Sequence, residues 1–281
     1  MHNNYKLIQK KHNQMVTQIK SIGFIYHEIA KRMIDRLDYI KLTPHNILDI
    51  GSGLNIDAKN LDDKYQKANI FKLDIAINML KQHNKQKGFL GNFLRKNAEY
   101  VCANAIELPI KSQSMDLVWS NLVLPYINNI EGYFKEIRRV LKLNACFLVT
   151  GLGVDSLQQL REVGLATYNF PDMHIIGDIL VKLGFSNPVT DLEYINLEYT
   201  DIAQLITDIR IIGCGGILSR AIPLTKIEYL NIAQNFAKLT KNGKIPLTIE
   251  LYYAHAWKDK VQLDLGEDEK IIQFRAKNKL D

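Results

Sequence analysis

The feature that most constrains this chain is a short apolar run that ends in a glycine turn. Ile47-Leu48-Asp49-Ile50 leads directly into Gly51-Ser52-Gly53-Leu54-Asn55. The run has the length of a strand buried on both faces. Glycines at the turn let the backbone reverse tightly and come close to a ligand. Further strand candidates follow at 69–73, 100–103, 115–120 and 146–151, with helical spacing at 76–83 and 130–141 between them. Strands that alternate with helices predict a doubly wound α/β fold with a mostly parallel sheet and right-handed crossovers. In such a sheet the ligand lies beyond the carboxyl ends of the strands, which is where the first glycine turn falls.

The flanks have a different character. Up to residue 42 the chain reads as a helical arm, with Ile25, Ile29, Met33, Ile34 and Leu37 at helical spacing, and Pro44 ends it. After the alternating region, 173–183 reads as a helix and 189–199 as a strand. Two helices (202–212 and 226–239) then surround Gly213-Cys214-Gly215-Gly216, before a long last strand at 245–257. The predicted organisation is one domain: an arm at 1–42, a core at 43–200, an inserted helical lid at 201–244, and the last strand with a charged tail at 245–281. Insertions on a shared scaffold are where binding specificity commonly resides.

Composition excludes several classes. With 281 residues, 47% hydrophobic and 23% charged, the chain can bury a full core, and neither a disordered nor a fibrous reading fits. No apolar run reaches the roughly 18 residues of a membrane span. The amino-terminal MHNNYKLIQKKHNQM lacks the apolar core of a secretory signal. Cys102, Cys146 and Cys214 are odd in number and far apart, with no Cys-x-x-Cys pair, which speaks against a disulfide framework and a zinc site and fits a reducing cytoplasm. Net charge is +6. An acidic partner or simple lysine-rich composition would each account for it, and no dense basic block with interleaved aromatics suggests nucleic acid.

Four segments carry the chemistry. Asp49 and the glycine turn form the first. Asp74 is the second: it closes the next strand 25 residues after Asp49, where an acidic side chain can accept hydrogen bonds from both hydroxyls of a ribose. Asn104-Ala105 after the third strand is the third, and the 115–120 strand with its exit at Asn121-Leu122 is the fourth.

In this order the segments resemble those of class I S-adenosylmethionine-dependent methyltransferases. More narrowly, almost the whole chain is similar to the malonyl-acyl-carrier-protein O-methyltransferases of biotin synthesis. The segments WSNLVLPYINNIEGYFKEIRRVLK, TGLGVDSLQQLREV and FPDMHIIGDILVKLGF carry the resemblance, together with DLEYINLEYTDIAQLITDIRIIG and GKIPLTIELYYAHAWK. Mitochondrial assembly proteins that hydroxylate arginine on a complex I subunit are similar over much of the same length. The resemblance implies a seven-stranded sheet, S-adenosylmethionine as cofactor, no metal, and malonyl-acyl carrier protein or malonyl-CoA as acceptor. By position it puts Asp49, Gly51 and Gly53 at the methionine end of the cofactor and Asp74 at the ribose. Ile75, Asn104 and Ala105 would meet the adenine, and Asn121 and Leu122 the transferred methyl. For Ile75, core packing is an equal reading.

Three positions depart from the family pattern: Asn55 replaces its third glycine, Asn104 replaces an aspartate, and Ile19-Lys20 replace a Tyr-Asp pair that helps close the cofactor site. A decayed protein that keeps the fold without the activity is therefore an alternative. For the acceptor carboxylate, Arg210, His174 and Asn121 are the candidates, Arg210 because guanidinium holds a carboxylate by two parallel bonds. Arg210 also reads as a solvated face residue, and His174 as a helix cap. Tyr194 and Tyr199 read as core or cleft wall, His255 as structural. Arg138, Arg139 and Lys142 read as one basic group on a solvated helix face.

Overall fold

A computed structural model describes residues 5–14, 16, 23–54, 58–86, 99–164, 170–211, 225–240 and 242–259. Among the described residues the chain opens with α1 (Tyr5–Gln14) and α2 (Gly23–Leu37). Then come β1 (Asn46–Ile50), α3 (Ala58–Lys64), β2 (Asn69–Asp74), α4 (Ile77–Gln86), β3 (Glu99–Cys102) and β4 (Met115–Ser120). After a 3-10 turn at Leu124–Tyr126 follow α5 (Ile130–Val140), β5 (Leu141–Leu152), α6 (Gln158–Glu162), α7 (Met173–Lys182) and β6 (Ser186–Tyr199). The helices α8 (Ile202–Ile211) and α9 (Lys226–Leu239) precede the last strand, β7 (Ile245–Lys258).

The seven strands form one sheet in the order β3-β2-β1-β4-β5-β7-β6. The first five pair in parallel, and β7 lies antiparallel between β5 and β6. The order reverses between β1 and β4, so the crevice opens beyond their carboxyl ends.

The strand period of two sorts the core into two layers. Ile47, Leu117, Trp119, Cys146 and Leu148 face one side, packed with α2 and the helices before β7. Leu48, Ile50, Val118, Phe147 and Val149 face the other, packed with α5 and α7. Helix α5 shows why these segments are helical. Asn129 caps it by accepting the Gly132 N–H, and Tyr133, Phe134, Ile137 and Val140 bury one face. Thr225 and Glu228 close a reciprocal capping box at the start of α9.

Two expectations need correction. Lys142 is not on the helix with Arg138 and Arg139, because α5 passes into β5 at Leu141 with no intervening turn. Nor do the two arginines form a solvated basic face. Arg138 is 8% exposed, and Arg139 is tied to Glu136 and to the backbone carbonyls of Leu108 and Ile110. Lys142 reaches Asp116 at 2.7 Å. Tyr199 is buried, but Tyr194 is 49% exposed and donates to Asp155, so it is not a core residue.

Candidate active site

An open cleft lies beyond β1, β2 and β4, lined by the glycine turn, the end of β2, the 104–105 turn, the β4 exit and one face of α1. A concave, mostly apolar lining at the switch point of such a sheet is where small molecules bind.

The glycine turn is bound to the end of β2. Gly51 and Ser52 both donate their N–H to Leu73 O, at 2.7 and 3.0 Å. Gly53 N–H goes to Asp74 Oδ2 at 3.0 Å. Gly51 and Gly53 have φ of +75° and +50°, where a side chain is strained. A Cβ on Gly51 would also overlap Val123 Cγ2, so only glycine lets the β4 exit close on the turn. Ser52 lines the cleft, and its buried hydroxyl has no hydrogen-bond partner among the described residues. A buried polar atom left open there suits a polar ligand group.

Asp74 is 6% exposed and lines the cleft. Burial pushes its carboxyl up to about 6, against the N–H donors of Ala76 and Gly53, which favour the ionised form. Each oxygen keeps a free lone pair beyond these backbone bonds. Ile75, Asn104 and Ala105 complete this end of the cleft. Asn104 Oδ1 accepts Ile106 N–H at 3.3 Å, which leaves room on the carbonyl for a second donor.

Helix α1 supplies a wall through Tyr5, Ile8 and His12. Gln9 Nε2 donates to Ile75 O at 2.8 Å, and Asn13 Oδ1 accepts the Asn78 N–H at 2.8 Å. The His12 ring meets Tyr126 edge-on with centroids 4.7 Å apart. The residue keeps some accessible surface, but enclosure of its ring, with Lys11 adding to it, lowers its pKa to about 4. At neutral pH it is an uncharged wall residue.

Known proteins share this arrangement. A methyltransferase-domain family model matches residues 48–149. The malonyl-[acyl-carrier protein] O-methyltransferase of Gallionella capsiferriformans is 37% identical over 83% of this chain and 84% of its own length. That of a Methylovorus species is 35% identical over 91% of this chain and 89% of its own. This chain belongs to the malonyl-acyl-carrier-protein O-methyltransferase family. Among solved structures, the YcgJ protein of a Bacillus matches with a TM-score of 0.61 over 84% of this chain and all of that one. At 14% identity this match speaks to the fold alone.

Family membership gives each residue singled out above a place to be checked. Gly51, Gly53, Asp74, Ile75, Asn104, Ala105, Asn121 and Leu122 all line the cleft. Asp49 does not; it is buried on β1 at 5% exposure. Asn121 is held on both sides, its Oδ1 accepting from Thr150 Oγ1 at 3.0 Å and its Nδ2 donating to Tyr26 O at 3.2 Å. His174 stands away from the cleft lining at the start of α7. Its N–H and Nδ1 both meet Asp172 Oδ1, at 2.8 and 2.6 Å, and its side chain is 77% exposed. Arg210 is in the last turn of α8, and its side chain lies outside the described residues, as do Ile19, Lys20, Asn55 and the glycines at 213–216. His255 sits in β7, partly buried, and burial lowers its pKa.

Sequence reasoning missed three wall residues of α1 and the polar anchors Gln9 and Asn13. No motif marks them. A helix with no acidic residue whose apolar positions are few gives only a weak signal of what it packs on. Thr150, which bonds to both Asn121 and Leu122, was equally silent within an apolar strand.

Proposed function

We propose that this protein transfers a methyl group from S-adenosylmethionine to the free carboxylate of a malonyl thioester on acyl carrier protein, in the cytoplasm, at an early step of biotin synthesis. The observation that carries the reading is the cleft itself: a buried carboxylate joined to a glycine turn, in a chain whose relatives bear this activity. Among the described residues no helix is long and apolar enough to cross a membrane.

The cofactor would supply an electrophilic methyl on a sulfonium. The chain's residues fit it. Gly51, Ser52 and Gly53 offer a close backbone and an open hydroxyl to its amino-acid end, with Asp49 behind them. Asp74 would accept from the ribose hydroxyls. Ile75 and Ala105 would pack on the adenine, and Asn104 would meet its amino edge. Asn121 and Leu122 would border the reacting methyl.

The acceptor needs little activation. A malonyl carboxylate is already ionised at neutral pH. The residues must then align it with the methyl and exclude water rather than remove a proton. The cleft is built for alignment and exclusion. Ile50, Leu73, Ile75, Met79 and Val123 give it apolar walls, and His12 is uncharged. We assign Arg210, on the inserted lid, to the acceptor carboxylate. The lid helix α8 is seated by Leu205, Ile206 and Ile209, and its Asp208 is buried with Gln204 Nε2 donating to it at 2.6 Å.

Acceptor discrimination tests this reading. Malonyl-acyl carrier protein is expected to be methylated, while acetyl-acyl carrier protein and the preformed malonyl methyl ester are not. Equal turnover of the acetyl form would contradict a carboxylate acceptor. Arg210→Ala should raise KM for the malonyl carrier about tenfold and leave S-adenosylhomocysteine binding unchanged; an unaltered KM would remove Arg210 from the acceptor site.

A further inference from the structure

Thr150 lies on β5, fully buried, and is not part of the cleft lining. Its single hydroxyl makes two bonds of opposite sense. Thr150 Oγ1 accepts the Leu122 N–H at 2.8 Å and donates to Asn121 Oδ1 at 3.0 Å. Both partners, Asn121 and Leu122, line the cleft.

Leu122 has φ of +55°, a region that residues with a Cβ seldom adopt. Such backbone persists only where its surroundings over-determine it, and it gathers at functional sites. Here the surroundings are visible. On one side the Thr150 hydroxyl holds the Leu122 N–H. On the other, Val123 packs over the Gly51 Cα, where any Cβ would collide. Asn121, fixed by Thr150, reaches across to Tyr26 O in the first turn of α2. One hydroxyl thus ties the exit of β4 to β5, while Val123 of that exit meets the glycine turn and Asn121 meets the arm. A hydroxyl is required for this, since one atom must both donate and accept. Serine could replace it; valine, of nearly the same shape, could not.

We propose that Thr150 is a positioning residue: through its paired hydrogen bonds it holds Asn121 and Leu122 in the left-handed turn that sets the methyl-transfer end of the cleft. The proposal rests on the methyltransferase reading above. Thr150 touches neither cofactor nor acceptor and acts only through its two neighbours.

The test compares Thr150→Val with Thr150→Ser, both well below their melting temperatures. A displacement near one ångström at a reacting centre can cost on the order of a hundredfold in rate. Thr150→Val is expected to lower kcat about 10- to 100-fold with KM for malonyl-acyl carrier protein within about threefold of the parent, while Thr150→Ser stays within about threefold on both. Amide exchange at Leu122 should accelerate at least about tenfold in the valine variant and not in the serine variant. A valine variant with kcat within about twofold of the parent, or a serine variant as impaired as the valine one, overturns the proposal. If valine prevents folding, Thr150→Ala carries the same expectations. Absence of turnover by the parent protein would count against the acceptor reading only. Leu122 exchange and S-adenosylhomocysteine affinity, expected to fall about tenfold in Thr150→Val, then decide alone, and no change in both overturns the positioning role.

Discussion

At the scale of single residues, the site works by placing groups where water would otherwise be preferred. Asp74 is the plainest case. Its pKa of about 6 in the folded protein lies above the 3.8 of an ordinary aspartate, so the fold favours the protonated carboxyl. This group therefore costs no stability below about pH 3.8, and the cost grows as pH rises to about 6, reaching about 3 kcal/mol for the full shift. On the role proposed for Asp74, ligand binding runs the other way, because ribose hydroxyls would donate to the ionised form. Stabilisation by S-adenosylhomocysteine should accordingly weaken as pH is lowered through 6, a trend that melting curves from pH 8 to 5.5 would display; a flat profile would detach Asp74 from the ribose. Gly51 makes a second, sterically defined prediction. Gly51→Ala must place a Cβ at φ +75° against the branched Val123 side chain. It should cost about 2 kcal/mol, or roughly 4–8 °C in Tm, and should weaken the same ligand's binding. The glycine turn and Asp74 were legible in the sequence because strand, turn and acidic residue follow one another in register with a βαβ unit. Thr150 was not: a threonine in an apolar strand reads as packing, and its partners lie 28 and 29 residues away in sequence.

At the scale of elements, the same residues are held because helices and strands bring distant segments together. The strands and most helices agreed with their periodicity to within a few residues. The junction of α5 and β5 defeated it, since a helix that passes into a strand at Leu141 without glycine or proline leaves no punctuation. Arg138 shows a related failure, because a long side chain can bury its stem and still present its charge, so its spacing on a helix does not reveal its burial. The arm is the element with the clearest functional consequence. Helix α1 meets the core through Gln9 to Ile75 and Asn13 to Asn78, and Val16 beyond it packs with Leu54, Ala76 and Met79. Each neutral hydrogen bond of this kind contributes on the order of 1 kcal/mol. Removing both in Gln9→Ala/Asn13→Ala should weaken S-adenosylhomocysteine binding roughly tenfold, measured by calorimetry, with kcat at saturating cofactor little altered. Unchanged affinity would make α1 a bystander to the cofactor rather than part of its wall.

At the scale of the whole molecule, the parallel core and the antiparallel pair β6–β7 divide the labour. The core gives a cleft at the switch point, and the segment between β6 and β7 adds the helices α8 and α9 outside the parallel scaffold. This organisation was readable from the alternation of strand and helix patterns and from the place where that alternation stopped. The acceptor was not readable from the alternation, because a reaction on an already ionised carboxylate asks for no base and nucleophile at fixed spacing. It entered through the likeness of nearly the whole chain to one family. The most direct measurement is therefore the intact mass of malonyl-acyl carrier protein after incubation with this protein and S-adenosylmethionine. The carrier should gain one methylene, lose it again on mild ester hydrolysis, and show no gain when it bears acetyl instead of malonyl. An unchanged mass, with an active relative methylating the same carrier under the same conditions, would contradict methyl transfer to the malonyl carboxylate.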